Sequence, residues 1–197
     1  MKIDYKNMVN QRAHIIAVAG PNGAGKSTTA PSLLKGPLKV KEFVNADLIA
    51  QDNPGMSAID AGRIMLNRMR DFSCRRVDFA FESTMSSRSF APWISGLCKK
   101  DYLFHIVFLW LPNQELAINR VAERVRMGGH NVPVEIIKRR YHAGLNNFFR
   151  LYQPIADTWY FYDNSIDVPN LIAHGKKSNK LVVMDEGFWH NITARYE

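Results

Sequence analysis

Short apolar runs that stop abruptly at glycine or a polar pair alternate along the chain with stretches whose apolar residues recur at helical spacing. His14 to Ala19 is a β-branched apolar run ending at Gly20, the pattern of a buried strand. A helix is predicted from about Gly25 to Lys35, with a kink or early end at Pro31, which lacks the donor that would bond back to Ser27. Glu42 to Asn45 reads as a second short strand. Ala58 to Cys74 reads as a helix with Ile59, Met65, Leu66, Met69 and Phe72 mostly on one face. Asp78 to Phe81 is a third strand, ending at Glu82, and Arg88 to Lys100 a helix with Pro92 near its start.

Tyr102 to Leu111 is the strongest apolar run, interrupted by His105, and reads as the centre of a parallel sheet. A helix over Gln114 to Met127 ends at Gly128-Gly129, and a second starts near Pro133 and runs to about Tyr152. Thr158 to Tyr162 is a fifth strand, closed by Asp163-Asn164. Leu171 to Ala173 and Leu181 to Val183, around the turn-like Gly175 to Lys180, predict a small hairpin followed by a short C-terminal helix. Strands and helices in this alternation predict a three-layer α/β sandwich. Its sheet is expected to be mainly parallel and five-stranded, with the hairpin as an appendage over about 166–197, in one domain spanning 1–197.

The turn after the first strand carries the clearest chemistry. Gly20-Pro21-Asn22-Gly23-Ala24-Gly25-Lys26-Ser27 fits G-x-x-x-x-G-K-[ST] at every fixed position, follows a predicted strand and opens a predicted helix. Glycines let the backbone N–H groups wrap a β-phosphate, and the helix N-terminus adds positive potential. Gly20 to Thr28 is therefore the expected ATP cradle. Lys26 is expected to reach the β- and γ-phosphates, and the Ser27 hydroxyl to ligate Mg2+. The fold class is thus a P-loop NTPase sandwich.

A P-loop leaves the second reactant open. Guanine specificity usually needs Asn-Lys-x-Asp, and the only Asn-Lys here, Asn179-Lys180, is followed by Leu181-Val182. Glu82, after Phe79-Ala80-Phe81, is the best carboxylate for metal and substrate, and a single acid there suits a kinase better than a hydrolase. Asp47, at the carboxyl end of the second strand, lies where ligands of such sheets bind and is the candidate base for an acceptor hydroxyl. It is equally of a type that caps a following helical turn. Arg120 and Arg124 share a helix face ahead of the Gly128-Gly129 hinge, which suggests a lid over about 120–142 that brings arginine onto the transferring phosphoryl. Asp163-Asn164 is placed to wall the base pocket.

Composition then narrows the setting. The 197 residues hold 26 Lys and Arg against 18 Asp and Glu, a net +8, with 46% hydrophobic residues, which is ordinary globular composition. Two cysteines, Cys74 and Cys98, leave no disulfide framework, and the first ten residues lack the apolar stretch of a signal peptide. No apolar run is long enough to span a bilayer, so a cytoplasmic protein without a membrane partner is expected. The charge suits phosphates of either nucleic acid or small molecules. No second basic groove interleaved with aromatics is evident, which disfavours nucleic acid.

Gly20 to Thr28 (GPNGAGKST), Asn45-Ala46-Asp47, Glu82-Ser83-Thr84-Met85-Ser86 and Gly128-Gly129-His130-Asn131-Val132-Pro133 leading to Arg139-Arg140-Tyr141 together resemble the zeta-toxin family of P-loop kinases, in its short single-domain bacterial branch. The resemblance runs from about His14 to Ser165. It implies ATP- and Mg2+-dependent phosphorylation of a sugar hydroxyl on UDP-N-acetylglucosamine, with Asp47 as general base and Glu82 holding metal and substrate. It also implies lid arginines at Arg120 or Arg124 and an antitoxin protein as partner. Two positions depart from the family pattern: His130 stands where a second lid arginine is expected, and Ala50 stands three residues after Asp47 in place of arginine. The leading expectation is an ATP-dependent small-molecule kinase acting on a UDP-sugar-like or other phosphorylated metabolite. The alternatives are a polynucleotide-end kinase and a non-catalytic ATP-binding regulatory module.

Overall fold

The computed structural model describes residues 12–35, 40–177, 181–194 and 196, with the side chains of 32–35 excepted. The first ten residues and part of the predicted hairpin turn, 178–180, lie outside them. In chain order the elements are β1 (Ala13–Ala19), α1 (Lys26–Lys35), β2 (Glu42–Val44), α2 (Ala46–Gln51), α3 (Ala58–Cys74), β3 (Phe79–Ser83), α4 (Phe90–Cys98) and β4 (Tyr102–Trp110). There follow α5 (Gln114–Arg126), α6 (Val134–Asn147), β5 (Thr158–Asp163), β6 (Asn170–Lys176), β7 (Val182–Val183) and α7 (Glu186–Thr193). One π-turn, Phe148–Tyr152, and a short 3-10 turn, Gln153–Ile155, join α6 to β5.

The strands form one sheet in the order β2-β3-β1-β4-β5-β6-β7. The first five are parallel, and β6 and β7 add antiparallel. The sheet is therefore seven-stranded and mixed, not five-stranded with a separate hairpin. The reason is edge pairing: β5 would otherwise present a free row of N–H and C=O groups, and β6 covers it from Thr158↔Lys176 to Asp163↔Asn170. Trp189 and Ile192 of α7 then pack into the main core, so the C-terminal segment is bound into the fold.

Alternate residues of the central strands face opposite layers. Ile15, Ala17 and Ala19 of β1 join Phe104, Ile106, Phe108 and Trp110 of β4 in the larger core, under α3, α4 and α7. Ile16 and Val18 meet Ala30 of α1, while Val107 and Leu109 meet Ala117 and Val121 of α5. Both faces are covered, which is why these strands read as near-continuous apolar runs.

Four expectations need adjustment. α1 does not end at Pro31 but continues to Lys35: a single bond to Ser27 is forgone, while Ala30 stays packed on β1. The helix after Pro133 is regular only to Asn147 and then widens into the π-turn. The six-residue α2 stands where no element was predicted, because a helix this short carries too little periodicity to read. Ile59, placed on the apolar face of α3, is 70% exposed at its first turn.

The aromatic centre over β4 and β5 holds the larger layer together. Phe108 and Phe161 stack at 5.2 Å, and Phe148 lies 4.7 Å from Phe108 and 5.4 Å from Phe161. Phe161→Ala is expected to cost about 3–5 kcal/mol, because this site is too tightly enclosed to collapse. Urea unfolding should show a lower midpoint at an unchanged slope; an unshifted midpoint would show that the stack contributes little.

Candidate active site

Because β1 lies between β3 and β4, its carboxyl end meets the ends of β2 and β3. Val18 pairs with Glu82 and Ala19 with Ser83, while Val44 pairs with Phe81. The P-loop leaves β1 at this edge. Gly20, Gly23 and Gly25 have φ of 140°, 76° and 74°, a region that L side chains rarely adopt. A methyl group at Gly20 would also stand 2.1 Å from the carbonyl oxygen of Leu109, so the cradle needs the missing Cβ sterically as well.

Lys26 opens α1 and folds back, its Nζ donating to the carbonyl of Pro21 at 2.9 Å. Burial lowers its pKa, an effect opposed by Glu82 and Asp47 and reinforced by Arg124 and Arg140. Glu82 is the hub of the site. One of its oxygens lies 3.8 Å from Lys26 Nζ, and the other accepts from Ser27 Oγ at 2.9 Å and from Asn45 Nδ2 at 2.8 Å. Ser27 and Glu82, both oxygen donors, fit a hard cation such as Mg2+, which commonly takes one or two protein ligands and completes its shell with phosphate and water. Among the described residues no group of three or more His, Cys, Asp or Glu forms a ready-made metal cage. Asn22, 5% exposed, leaves its Oδ1 buried without a partner among the described residues, at the mouth of the same cradle.

Asn45, not Asp47, caps α2: its side chain accepts from the backbone N–H of Asp47 at 2.8 Å. The capping alternative for Asp47 is thereby taken by its neighbour. Asp47 lines two adjoining cavities. One, of about 260 Å3, also holds Lys26, Asn45, Glu82, Thr84, Ser86 and Arg140 in its wall. The other, of about 500 Å3, is bounded by Ser27, Arg124 and the glycines 128 and 129. His130 reaches both.

The arginines divide. Arg124 donates to the carbonyl of His130 at 2.8 Å and lies against Gly129, where a methyl group would come 2.6 Å from its Cγ. Its Nε is buried without a partner among the described residues. Arg120 is turned elsewhere, donating to the carbonyls of Asn164 and Ser165 at 2.7 and 2.8 Å, so the structure does not bring it to the cavities of Asp47. Asn164, in turn, donates to the carbonyl of Ala24 and props the P-loop from β5.

Arg140 and Asn45 stand in the segments that carry the resemblance, but sequence reasoning gave neither a role in the site. Arg140 was legible as the position three after Ile137 and four before Gly144, both buried, hence on the inward side of α6. Asn45 carries a recognisable signal too: an Asx residue between a short strand and a helical turn.

Five parallel strands with a glycine-rich phosphate loop between β1 and α1, and a carboxylate on the adjacent strand, define a P-loop nucleotide-binding fold. Two solved structures share it over nearly the whole chain. One is the complex of AvrRxo1-ORF1 and ORF2 with ATP, at a TM-score of 0.73 and 14% identity over 93% of this chain. The chain spans only 64% of the length of the matched chain in that complex. The other is the PezAT chromosomal toxin–antitoxin system of Streptococcus pneumoniae, at 0.62 and 15% over 94% of this chain and 79% of that one. The fold is thus one that this chain shares with both of these proteins. By sequence the chain is 28% identical over 130 residues to an uncharacterized protein of Haemophilus influenzae, covering 64% of this chain and 91% of the relative. No protein-family model matches.

Asn45 joins the cap of α2 to the Glu82 carboxylate, so Asn45→Ala removes both at once. A loss of about 1–2 kcal/mol is expected from the cap alone. Thermal unfolding checks it; an unchanged midpoint would mean that α2 forms without its cap.

Proposed function

We propose that the protein is an ATP- and Mg2+-dependent phosphotransferase that moves the γ-phosphoryl group onto a hydroxyl of a small phosphorylated metabolite of the UDP-sugar type. The observation that carries this reading is the position of Asp47. Its backbone is fixed by Asn45, its carboxylate meets no hydrogen-bond or ion-pair partner among the described residues, and it shares a cavity with Lys26. A carboxylate so placed can take the proton of an acceptor hydroxyl as that oxygen bonds to the γ-phosphorus. The bond from γ-phosphorus to the bridging oxygen breaks, and ADP leaves with that oxygen. Lys26 and Arg140 compensate the charge on the phosphoryl oxygens, and Arg124, tied to the loop of His130, does so from the lid side. Mg2+, when bound at Ser27 and Glu82, supplies further neutralisation of the phosphate oxygens.

The acceptor class rests on the sequence resemblance, and the likeness to PezAT supports an antitoxin protein as partner. Among the described residues no helix is long and apolar enough to cross a membrane.

Asp47→Asn should lower transfer by about 10^2–10^4-fold while leaving ATP affinity intact. The assay is transfer from labelled ATP into a panel of UDP-sugars and a cell metabolite extract, with ATP affinity by titration. Turnover at the wild-type rate would remove Asp47 as base. Lys26→Ala should weaken ATP binding itself, and an unchanged titration would refute the phosphate-cradle assignment.

A further inference from the structure

The segment Thr84–Ser87 forms one wall of the cavity shared by Asp47 and Lys26, presenting the side chains of Thr84, Ser86 and Ser87. Its backbone is unusual. Met85, not a glycine, sits at φ 53° with its side chain 1% exposed in the core. Such a conformation persists only where the surroundings over-determine it.

Besides the Met85 N–H bond to Ser83 Oγ at 3.0 Å, the surroundings that do so come from α6 and the π-turn that continues it. Asn147, at the last position of α6 and 4% exposed, donates from Nδ2 to the carbonyl of Met85 at 2.9 Å and to that of Ser86 at 3.1 Å. Tyr152, in the π-turn that follows, donates to the carbonyl of Ser87. The carbonyl of Thr84 lies against Gly144 so closely that a methyl group there would stand 2.2 Å from the oxygen. Four consecutive carbonyls are therefore held by α6 and its continuation. Arg140, Gly144 and Asn147 recur at four and three residues, one stripe of the helix. The stripe ends in a π-turn, an irregularity found often at functional sites.

We infer that Asn147 is a positioning residue: it fixes the Thr84–Ser87 backbone so that the hydroxyls of Thr84, Ser86 and Ser87 form a rigid acceptor-binding wall. Thr84 and Ser86 hydroxyls already pair at 2.9 Å, leaving donor and acceptor capacity that suits a hydroxyl-bearing molecule. One helix then sets two properties of the site. Arg140 brings charge to the reacting phosphoryl group, and Asn147, two turns on, shapes the wall that receives the acceptor. The inference rests on reading this cavity as the acceptor site.

The test uses the full chain and Asn147→Leu, which keeps the branched outline of the side chain and deletes both N–H donors. Gly144→Ala, which displaces the Thr84 carbonyl from a different position, is the second variant. Arg88, exposed directly after the wall, is a tryptic site that reports its order. Both variants should be cut after Arg88 at least tenfold faster than wild type. Ile16→Ala, which removes buried volume from the separate cluster with Val18 and Ala30 and touches neither the wall nor α6 and its π-turn, should not match that ratio. With UDP-N-acetylglucosamine as probe acceptor, KM should rise about tenfold while kcat and ATP affinity stay within twofold. Cleavage at Arg88 no faster than in Ile16→Ala overturns the clamp, and an unchanged KM overturns its role toward the acceptor. If wild type transfers nothing to this probe, the UDP-sugar reading fails, and the cleavage ratio still decides whether Asn147 holds the wall.

Discussion

Lys26 and Glu82 bury opposite charges 3.8 Å apart, each side chain only 7% exposed, and neither would be tolerated there without the other and the polar groups around them. Attraction between the two does not by itself offset the cost of taking both out of water. The remainder is met by hydrogen bonds: Pro21 accepts from the ammonium, and Ser27 and Asn45 donate to the carboxylate. Each partner belongs to a different piece of the fold, namely the P-loop, the start of α1, the end of β2 and the end of β3. The order β2-β3-β1 is what lets these pieces converge. A charge pair that needs so many neighbours ties local loop geometry to sheet topology, and mispairing of any of these strands would leave a charge buried without compensation.

The opposite side of the cleft is organised by α6. Its buried positions Ile137 and Tyr141 pack with α5 in one layer, while Leu145 reaches the aromatic core of the other, so the helix crosses the carboxyl edge of the sheet from one face to the other. Only a helix in that position can put Arg140 beside the P-loop and Asn147 behind the Thr84–Ser87 segment. The mouth of the cleft is finished by the loop after α5. Gly128, at φ 87°, ends the helix, and the carbonyl of His130 is held by Arg124.

The parts of this arrangement that were legible in the sequence are those with a strong periodic or motif signal. The apolar runs located the five parallel strands to within two residues, and the phosphate loop, Asp47 and Glu82 stood out because spacing and strand ends imply their placement. The seven-stranded sheet was hidden for a different reason. The apolar runs around 171–173 and 181–183 suit a free hairpin and a sheet edge equally, and only the exposed side of β5 decides between them. Arg120 illustrates the limit of helix-face arguments. Sharing a face with Arg124 was correct helical geometry, but the two guanidinium groups reach in different directions, one to the carbonyls after β5 and one to the lid loop. Long side chains escape inference from Cβ position alone.

The net charge of +8 can be traced further than its sum. Residues 120–142 carry six basic side chains and two acidic ones, a surplus of four. The structure does not spread that surplus evenly over the cleft. Arg120 is spent on backbone carbonyls, and Lys138 pairs with Glu135 at 3.2 Å on the surface. Arg124 and Arg140 are the two that act on Lys26, both lowering its pKa. Three cations thus gather around the P-loop against the two carboxylates Asp47 and Glu82, a local surplus of one positive charge. A site preorganised in this way attracts phosphate by its local imbalance, irrespective of charge elsewhere on the molecule.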